Sequence, residues 1–153
     1  MELTNPINIS VSIIIVNYRT PSLTLACIDS IYAHTKGVDF EVIVVDNHSE
    51  DDSVERLSKD NRIILIESSR NDGFGYGNNL GMKVARGKYF FLLNSDTLLV
   101  NNAIKDFYDY AERHEPKTLY GCYLIGDDGT YRGSFHYFPA LTISAFFRRL
   151  FRK

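Results

Sequence analysis

Four short runs of apolar residues recur along the first two thirds of the sequence, and a stretch with helical spacing follows each run. The runs occupy residues 11–16, 40–45, 63–66 and 90–93. Polar residues hardly interrupt them, which is typical of inner strands that are covered on both faces of a parallel sheet. Strands that alternate with helices predict right-handed crossovers and a doubly wound α/β fold, with a mostly parallel sheet and helices on both faces.

The run at residues 90–93 lies within a segment, residues 88–97, that ends abruptly on small polar side chains. We expect this run to form a central strand of the sheet. Open α/β sheets bind their ligands in the crevice beyond the carboxyl ends of the strands. The polar residues after this strand are therefore the first candidates for a site.

The segments between the strands carry helix signals. Ser49 and Asp52 predict a capping box at the start of the second helix. The glycine-rich residues 70–79 are expected to open the third helix, which would carry Leu80 and Val84 inward.

The pattern changes in the last third of the chain. Residues 118–125 and 130–135 flank a Gly-Asp-Asp-Gly turn, which predicts a β-hairpin at the edge of the sheet. Residues 140–153 predict a basic amphipathic helix, because apolar and basic side chains take opposite sides. We expect one domain over residues 1–138, followed by this helix over residues 139–153. The helix is expected to pack on its own or another domain, with membrane contact or self-association as alternatives.

Composition narrows the class of protein. The 153 residues are 44% hydrophobic and 24% charged, with a formal net charge of -2, which fits a soluble globular protein and gives no reason to expect nucleic-acid binding. No signal peptide and no membrane span are evident. Cys27 and Cys122 lie far apart inside apolar patterns, which favours two buried reduced thiols over a disulfide or metal pair. A cytoplasmic protein is expected.

Polar residues follow each of the four predicted strands. Because parallel strands point their carboxyl ends to one edge of the sheet, these residues should lie close together. They are Asn17 and Tyr18, Asp46 and Asn47, Arg70 and Asn71, and Asn94, Ser95 and Asp96.

Three of these residues have chemistry that suits a nucleotide ligand. Tyr18 could offer a ring face for stacking, and Asp46 could accept a hydrogen bond from a base N–H group. Asp96, with phosphate oxygens and water, could hold Mg²⁺ or Mn²⁺. The alternatives are a plain turn and helix cap at Asp46, and a turn residue at Asp96. A dinucleotide fingerprint is weak, because Asn78 stands where its last glycine should be.

Four sequence motifs follow one another along the chain in the order found in a known enzyme family. The chain resembles the inverting family 2 glycosyltransferases of GT-A fold, especially their rhamnosyltransferase-like bacterial branch, over about residues 10–138. The motifs are VSIIIVNY at 11–18, EVIVVDNHS at 41–49, NDGFGYGNN at 71–79 and GKYFFLLNSD at 87–96.

The resemblance implies a nucleotide-diphospho-sugar donor and a divalent ion, Mg²⁺ or Mn²⁺. It implies that Tyr18 and Asp46 lie at the base, that residues 71–79 lie near the ribose and diphosphate, and that Asp96 is the metal-side carboxylate of the family's D-x-D motif. This chain has Asn94-Ser95-Asp96 at that motif, so an amide replaces the first carboxylate. The residues expected to bind the nucleotide-sugar are Asn17, Tyr18, Asp46, Asn71, Gly73, Asn78, Asn94, Ser95 and Asp96.

The resemblance also implies a general base that this sequence does not match. Inverting transfer needs a base to deprotonate the acceptor hydroxyl, and the family takes it from an acidic motif downstream of the hairpin. No Asp or Glu follows Asp128. The chain is therefore expected to be the N-terminal, donor-binding half of a longer or split enzyme.

The function implied is transfer of a sugar from a UDP- or dTDP-sugar to a saccharide or lipid-linked acceptor in bacterial polysaccharide or cell-envelope synthesis, at the inner face of the membrane. The alternative from another class is a catalytically silent nucleotide-sugar-binding or interaction module. A nucleotidyltransferase of related topology is a third reading, which the lack of a Gly-rich, Lys-containing loop after the first strand disfavours.

Overall fold

A computed structural model describes residues 9–114, 118–122, 124–126 and 128–132. The chain divides into two compact units, Met1–Glu115 and Pro116–Lys153.

The first unit is a parallel sheet whose strands alternate with helices. Its strands run in the order β3-β2-β1-β4, and every pairing is parallel. This confirms the doubly wound α/β fold predicted from the sequence. The elements are β1 Val11–Asn17, α1 Pro21–His34, β2 Phe40–Asp46, α2 Ser53–Leu57, β3 Ile63–Glu67, α3 Phe74–Val84, β4 Tyr89–Asn94 and α4 Ala103–Arg113.

Helices cover both faces of this sheet, as expected. On one face α1, α2 and α4 bury apolar side chains against alternate residues of all four strands. Ile28 of α1 and Ile104 of α4 belong to this core, together with Ile13 of β1 and Val44 of β2. On the other face α3 packs over a smaller cluster around Ile14, Ile43 and Val45. Burial of these branched side chains is the main stabilising contribution to the unit.

The position of β4 differs from the prediction. Within the described residues β4 pairs with β1 alone, so it lies at the edge of the described sheet and not at its centre as predicted. Phe90 is 50% exposed and Leu92 is 49% exposed, whereas Phe91 and Leu93 face the larger core. The reason is that α3 packs over β1 and β2 and leaves the neighbouring part of β4 uncovered in the described residues.

Two helix predictions also need correction. No capping box forms, because the Ser49 hydroxyl donates to Asp46 instead, and α2 begins at Ser53 without a side-chain cap. Val84 is exposed rather than inward, although Leu80 does pack against the smaller core. Helix α3 approaches the sheet through Gly77 and Gly81, whose missing side chains leave room for β1.

The second unit contains a short antiparallel pair. Strand β5 at Leu124–Ile125 pairs with β6 at Tyr131–Arg132 around the Gly126 turn. The predicted hairpin is therefore present, with shorter strands than expected in the described residues. The amphipathic helix predicted at residues 140–153 lies outside the described residues. In the part of the chain that is described, no helix combines the length and apolar character needed to cross a membrane.

Candidate functional site

The parallel register brings the carboxyl ends of the strands to one edge of the sheet. Asn17 at the end of β1 lies opposite Asp46 at the end of β2, and Asp46 lies opposite Glu67 of β3. On the other side of β1, Val16 lies opposite Asn94 at the end of β4. The polar residues that follow these strands therefore start from neighbouring positions.

Asp46 is held inside the protein by its neighbours. It is 2% exposed, and its Oδ1 accepts hydrogen bonds from Asn17 Nδ2 at 2.7 Å and from the Ser49 hydroxyl. Its Oδ2 accepts from the Ser49 backbone N–H at 3.0 Å. Both carboxylate oxygens thus have internal donors. A direct bond from Asp46 to a ligand base, as expected from the sequence, would compete with these donors.

Asn17 extends this buried network to helix α1. Its Oδ1 accepts from the Thr24 hydroxyl at 2.8 Å, while its Nδ2 donates to Asp46 and, at 3.2 Å, to Ser49. Asn17 is completely buried. In this structure its side chain joins α1, β1 and the turn after β2.

Asn47 has an acceptor atom without a partner. The residue is 3% exposed, and its Nδ2 donates to Asn71 Oδ1 at 2.7 Å. Its Oδ1 is buried and makes no hydrogen bond. A buried acceptor without a donor is unfavourable, so a ligand N–H or O–H group would relieve it. The sequence points to Asn47 only by its place directly after the strand end.

Asn71 and Gly73 form the turn that leads into α3. Asn71 Oδ1 accepts from Asn47 and also from the Gly73 backbone N–H at 3.0 Å. Gly73 has φ of 86°, a left-handed conformation that favours glycine. The end of β2 and the start of α3 are therefore connected through one amide side chain.

Helix α3 starts without a side-chain cap, at Phe74. The first N–H groups of a helix lack intrahelical partners and attract anions. An alanine Cβ at Gly75 would meet no heavy atom within 4 Å, so the backbone is accessible there. Asn78 lies one turn further on, is buried, and has an Oδ1 without a hydrogen bond although its Nδ2 donates to Phe74 O.

The end of β4 adds exposed polar residues to this edge. Asn94 and Asp96 are exposed, and Ser95 is half-buried, with its hydroxyl 3.5 Å from that of Thr20. Burial, with a smaller contribution from the negative charge of Asp96, raises the pKa of the Cys27 thiol to about 12. Cys27 is therefore a neutral core residue rather than a reactive thiol. The prediction that Cys122 is also buried is wrong, because Cys122 is exposed.

The oxygen ligands available for a metal are few. Among residues 9–114 and the described parts of the second unit, no cluster of three or more His, Cys, Asp or Glu could hold an ion. Mg²⁺ is commonly bound by one or two carboxylates together with substrate phosphates and water. The exposed Asp96 carboxylate, with the side-chain oxygens of Asn94 and Ser95 nearby in sequence, fits an ion that arrives with a diphosphate.

The sequence as a whole also matches a known family. The model of the family described as Glycosyl transferase family 2 matches residues 12–153. The chain belongs to this family. The membership predicted from the four motifs is thereby confirmed, while the rhamnosyltransferase-like branch stays a prediction.

Individual relatives of this family-2 chain agree with that assignment. It is 30% identical over 137 residues to the *Escherichia coli* protein named UDP-Glc:alpha-D-GlcNAc-diphosphoundecaprenol beta-1,3-glucosyltransferase WfaP, covering 88% of this chain and 54% of WfaP. The chain spans about half the length of the curated relatives it matches.

Solved structures support the GT-A fold. The *Staphylococcus aureus* TarS 1–349 structure in complex with UDP-GlcNAc superposes with a TM-score of 0.60 and 26% identity, over 69% of this chain and 32% of that chain. The *Pyrobaculum calidifontis* mannosyltransferase PcManGT, in complex with GDP-Man and Mn²⁺, gives a TM-score of 0.56 and 23% identity, over 65% of this chain and 33% of that chain. The family-2 chain therefore has the α/β GT-A architecture that its motifs predict.

Proposed function

We propose that this chain provides the donor-binding part of a glycosyltransferase that transfers a sugar from a UDP- or dTDP-sugar to a saccharide or lipid-linked acceptor in bacterial polysaccharide or cell-envelope synthesis. The observation that carries the proposal is the carboxyl edge of the sheet in a chain of family 2. The unpaired acceptor of Asn47, the uncapped start of α3 and the exposed Asp96 follow three strands of this one parallel sheet.

The base is proposed to bind between the ends of β1 and β2. Tyr18 is 43% exposed and offers a ring on which a base can stack. Asn47 Oδ1 would accept the imide N–H that uracil and thymine both carry, which satisfies its unpaired acceptor. Asp46 and Asn17 would support the base from beneath, because their side chains already hold the turn that contains Asn47.

The ribose and diphosphate are proposed to lie along the start of α3. Asn71 and Gly73 shape the turn, and the free N–H groups of the first helical turn suit a phosphate oxygen. Asn78 Oδ1, which is buried and unpaired, would accept a hydrogen bond from a ligand hydroxyl or an ordered water.

The divalent ion, Mg²⁺ or Mn²⁺, is proposed to be held by Asp96, with Asn94 and Ser95 beside it. Such an ion supplies positive charge that stabilises the departing nucleoside diphosphate. Asp96 orients the ion from the protein side and is exposed to receive it. The PcManGT complex contains Mn²⁺, so a protein of this fold can work with such an ion.

The relatives support the choice of donor and acceptor. The name of WfaP specifies UDP-Glc and a diphosphoundecaprenol-linked sugar, and the TarS structure contains UDP-GlcNAc. A cytoplasmic enzyme working at the inner face of the membrane is consistent with a lipid-linked acceptor. We propose no residue of this chain as the general base of an inverting transfer, since no Asp or Glu follows Asp128.

Release of nucleoside diphosphate tests this function. The full chain is incubated with a panel of UDP-, dTDP- and GDP-sugars, with lipid-linked and free saccharide acceptors and Mg²⁺ or Mn²⁺. In parallel, calorimetry measures nucleoside diphosphate binding with and without the ion. We expect the ion to strengthen binding to the wild type and to have little effect on Asp96→Ala. Glu55→Ala, which removes an exposed carboxylate on α2, is the control and should behave like the wild type.

The outcomes separate the alternatives. Turnover that Asp96→Ala abolishes supports a glycosyltransferase. Clear binding without turnover fits the silent nucleotide-sugar-binding module and also a donor-binding part that needs the rest of its enzyme for turnover. If no nucleotide binds under any condition, the proposed site is wrong.

A further inference from the structure

Arg19 connects the loop after β1 to the loop after β2. Its backbone N–H donates to the Ser49 hydroxyl at 3.0 Å, and its Nε donates to the Ser49 carbonyl oxygen at 2.8 Å. Its guanidinium also lies 3.6 Å from Glu50 Oε2. Arg19 therefore makes three contacts with Ser49 and Glu50, one through its backbone N–H and two through its side chain.

The backbone at this junction has an unusual conformation. Arg19, His48 and Glu50 have φ of 56°, 61° and 55°, which is the left-handed region that side chains other than glycine rarely adopt. Such conformations persist only where surrounding interactions fix them. Here Ser49, which is completely buried, receives hydrogen bonds from both Arg19 and Asn17 and donates to Asp46. The two loops are thus fixed relative to each other.

The guanidinium of Arg19 also lies over the ring of Tyr18, with its Cζ 5.1 Å from the ring centroid. A cation at this distance from an aromatic face is attracted by the ring. Arg19 therefore lies against one face of Tyr18, and in the proposed site a base would stack on the opposite face. Because Arg19 is bonded to Ser49, the ring is positioned relative to the turn that carries Asn47.

We propose that Arg19 is a positioning residue for nucleotide binding. It holds Tyr18 so that the free ring face and the unpaired Asn47 acceptor address the same base. This inference rests on the function proposed above and adds to it the residue that aligns the two base contacts. The guanidinium acts through Tyr18 and Ser49, so the diphosphate is not its partner.

The test compares Arg19→Gln, Arg19→Lys and Tyr18→Ala with the wild type. Calorimetry gives the Kd for UDP, dTDP and GDP, and NMR titration gives the Kd for the corresponding nucleoside, which carries no phosphate. Arg62→Gln is the matched control, because Arg62 lies 4.9 Å over the ring of Tyr32 and outside the proposed site. Thermal melts establish that each variant is folded.

We expect Arg19→Gln to weaken nucleotide and nucleoside binding by the same factor, about three- to tenfold. Arg19→Lys should not restore affinity, because lysine keeps the charge but lacks the planar group that bonds Ser49 and covers the ring. In the Tyr18→Ala background, Arg19→Gln should weaken binding by a smaller factor than in the wild type, because only the contribution through Ser49 remains. Arg62→Gln should bind like the wild type. If Arg19→Gln does not fold, Arg19→Lys with the nucleoside decides.

Three results would overturn the inference while leaving the proposed function intact. They are unchanged affinity in both Arg19 variants, full rescue by lysine, and a loss seen with the nucleotide but not with the nucleoside, which would mean direct contact with phosphate. A wild-type protein that binds no nucleotide at all would overturn the proposed function and this inference together.

Discussion

Asp46 and Asn47 are adjacent in sequence but have different environments. Asp46 accepts three hydrogen bonds from Asn17 and Ser49, whereas the side-chain oxygen of Asn47 accepts none. The residue type alone favours the carboxylate as the group that reads a base. The hydrogen bonds show that the carboxylate supports the loop, and we propose that the amide of Asn47 contacts the ligand.

Alanine substitutions of this pair should therefore have different effects. Asp46→Ala removes the acceptor of three internal hydrogen bonds, and we expect it to lower the free energy of unfolding by about 2 to 4 kcal/mol. Asn47→Ala removes one bond to Asn71 and should lower it by about 1 kcal/mol. Urea unfolding monitored by circular dichroism measures both.

Nucleotide affinity should respond in the opposite order once folding is accounted for. Asn47→Ala is expected to weaken UDP or dTDP binding by about 1 to 3 kcal/mol, because the base N–H loses its acceptor. Asp46→Ala should weaken binding only through the loosened loop. Calorimetry below the melting temperature of each variant gives the comparison, and a larger direct loss for Asp46→Ala would restore Asp46 as the base contact.

The elements themselves were largely predictable, because their signals are local. Strand and helix positions follow from apolar runs and helical spacing, and all four parallel strands occur where the pattern places them. The absence of the predicted capping box could not be foreseen, because the Ser49 hydroxyl donates to Asp46 instead. The exposed face of β4 was not predictable either, because the exposure of Phe90 and Leu92 depends on where α3 packs. The partners of the site residues come from other strands, so no local pattern contains them.

Helix α3 owes its close approach to the sheet to its glycines. An added Cβ at Gly81 would lie 2.5 Å from Ile14 Cγ2, whereas one at Gly75 would meet nothing within 4 Å. We expect Gly81→Ala to destabilise the protein by about 1 to 3 kcal/mol through overpacking. Gly75→Ala, the matched control, should be neutral or stabilising by up to about 1 kcal/mol, because alanine favours helix. Urea unfolding that shows equal effects would contradict this packing.

The amino edge of the sheet is closed by Glu41. Its carboxylate accepts from Ser12, from the Arg86 backbone N–H and from the Arg86 guanidinium. Burial alone would raise the pKa of Glu41. The hydrogen bonds and the charge of Arg86 outweigh burial and lower this pKa in the folded protein. The resulting stabilisation is present above the unfolded carboxyl pKa, about 4.3, and is lost as the pH falls through the folded value.

Glu41→Gln should therefore destabilise the protein in a pH-dependent way. We expect a loss of about 1 to 3 kcal/mol near neutral pH, which shrinks as the pH falls below about 4. Glu55→Gln removes an exposed pair with Lys59 and should change little at any pH. Urea unfolding across the pH range tests this, and a constant difference between Glu41→Gln and the wild type would contradict it.

At the scale of the whole molecule, the two edges of the sheet have different properties. The amino edge is tied by Ser12, Glu41 and Arg86 and has its hydrogen bonds satisfied within this network. The carboxyl edge has an unpaired acceptor at Asn47, an uncapped helix and an exposed Asp96. Three of the four buried side-chain atoms that lack a hydrogen bond in the described residues belong to Asn47, Ser53 and Asn78, which follow the carboxyl ends of β2 and β3, where α/β sheets bind ligands. The fourth, Thr35 Oγ1, follows the end of α1. We therefore propose that the ligand binds at the carboxyl edge and not at the amino edge.

Amide NMR spectra recorded during titration with UDP or dTDP and Mg²⁺ test that claim most directly. We expect the changes in amide chemical shift to concentrate at the carboxyl edge, at Tyr18, Asn47, Asn71, Gly75 and Asp96. We expect no change at the amino edge, at Ser12, Glu41, Arg86 and Gly87. Shifts centred on the amino edge, or a spectrum that does not respond to either nucleotide, would contradict it.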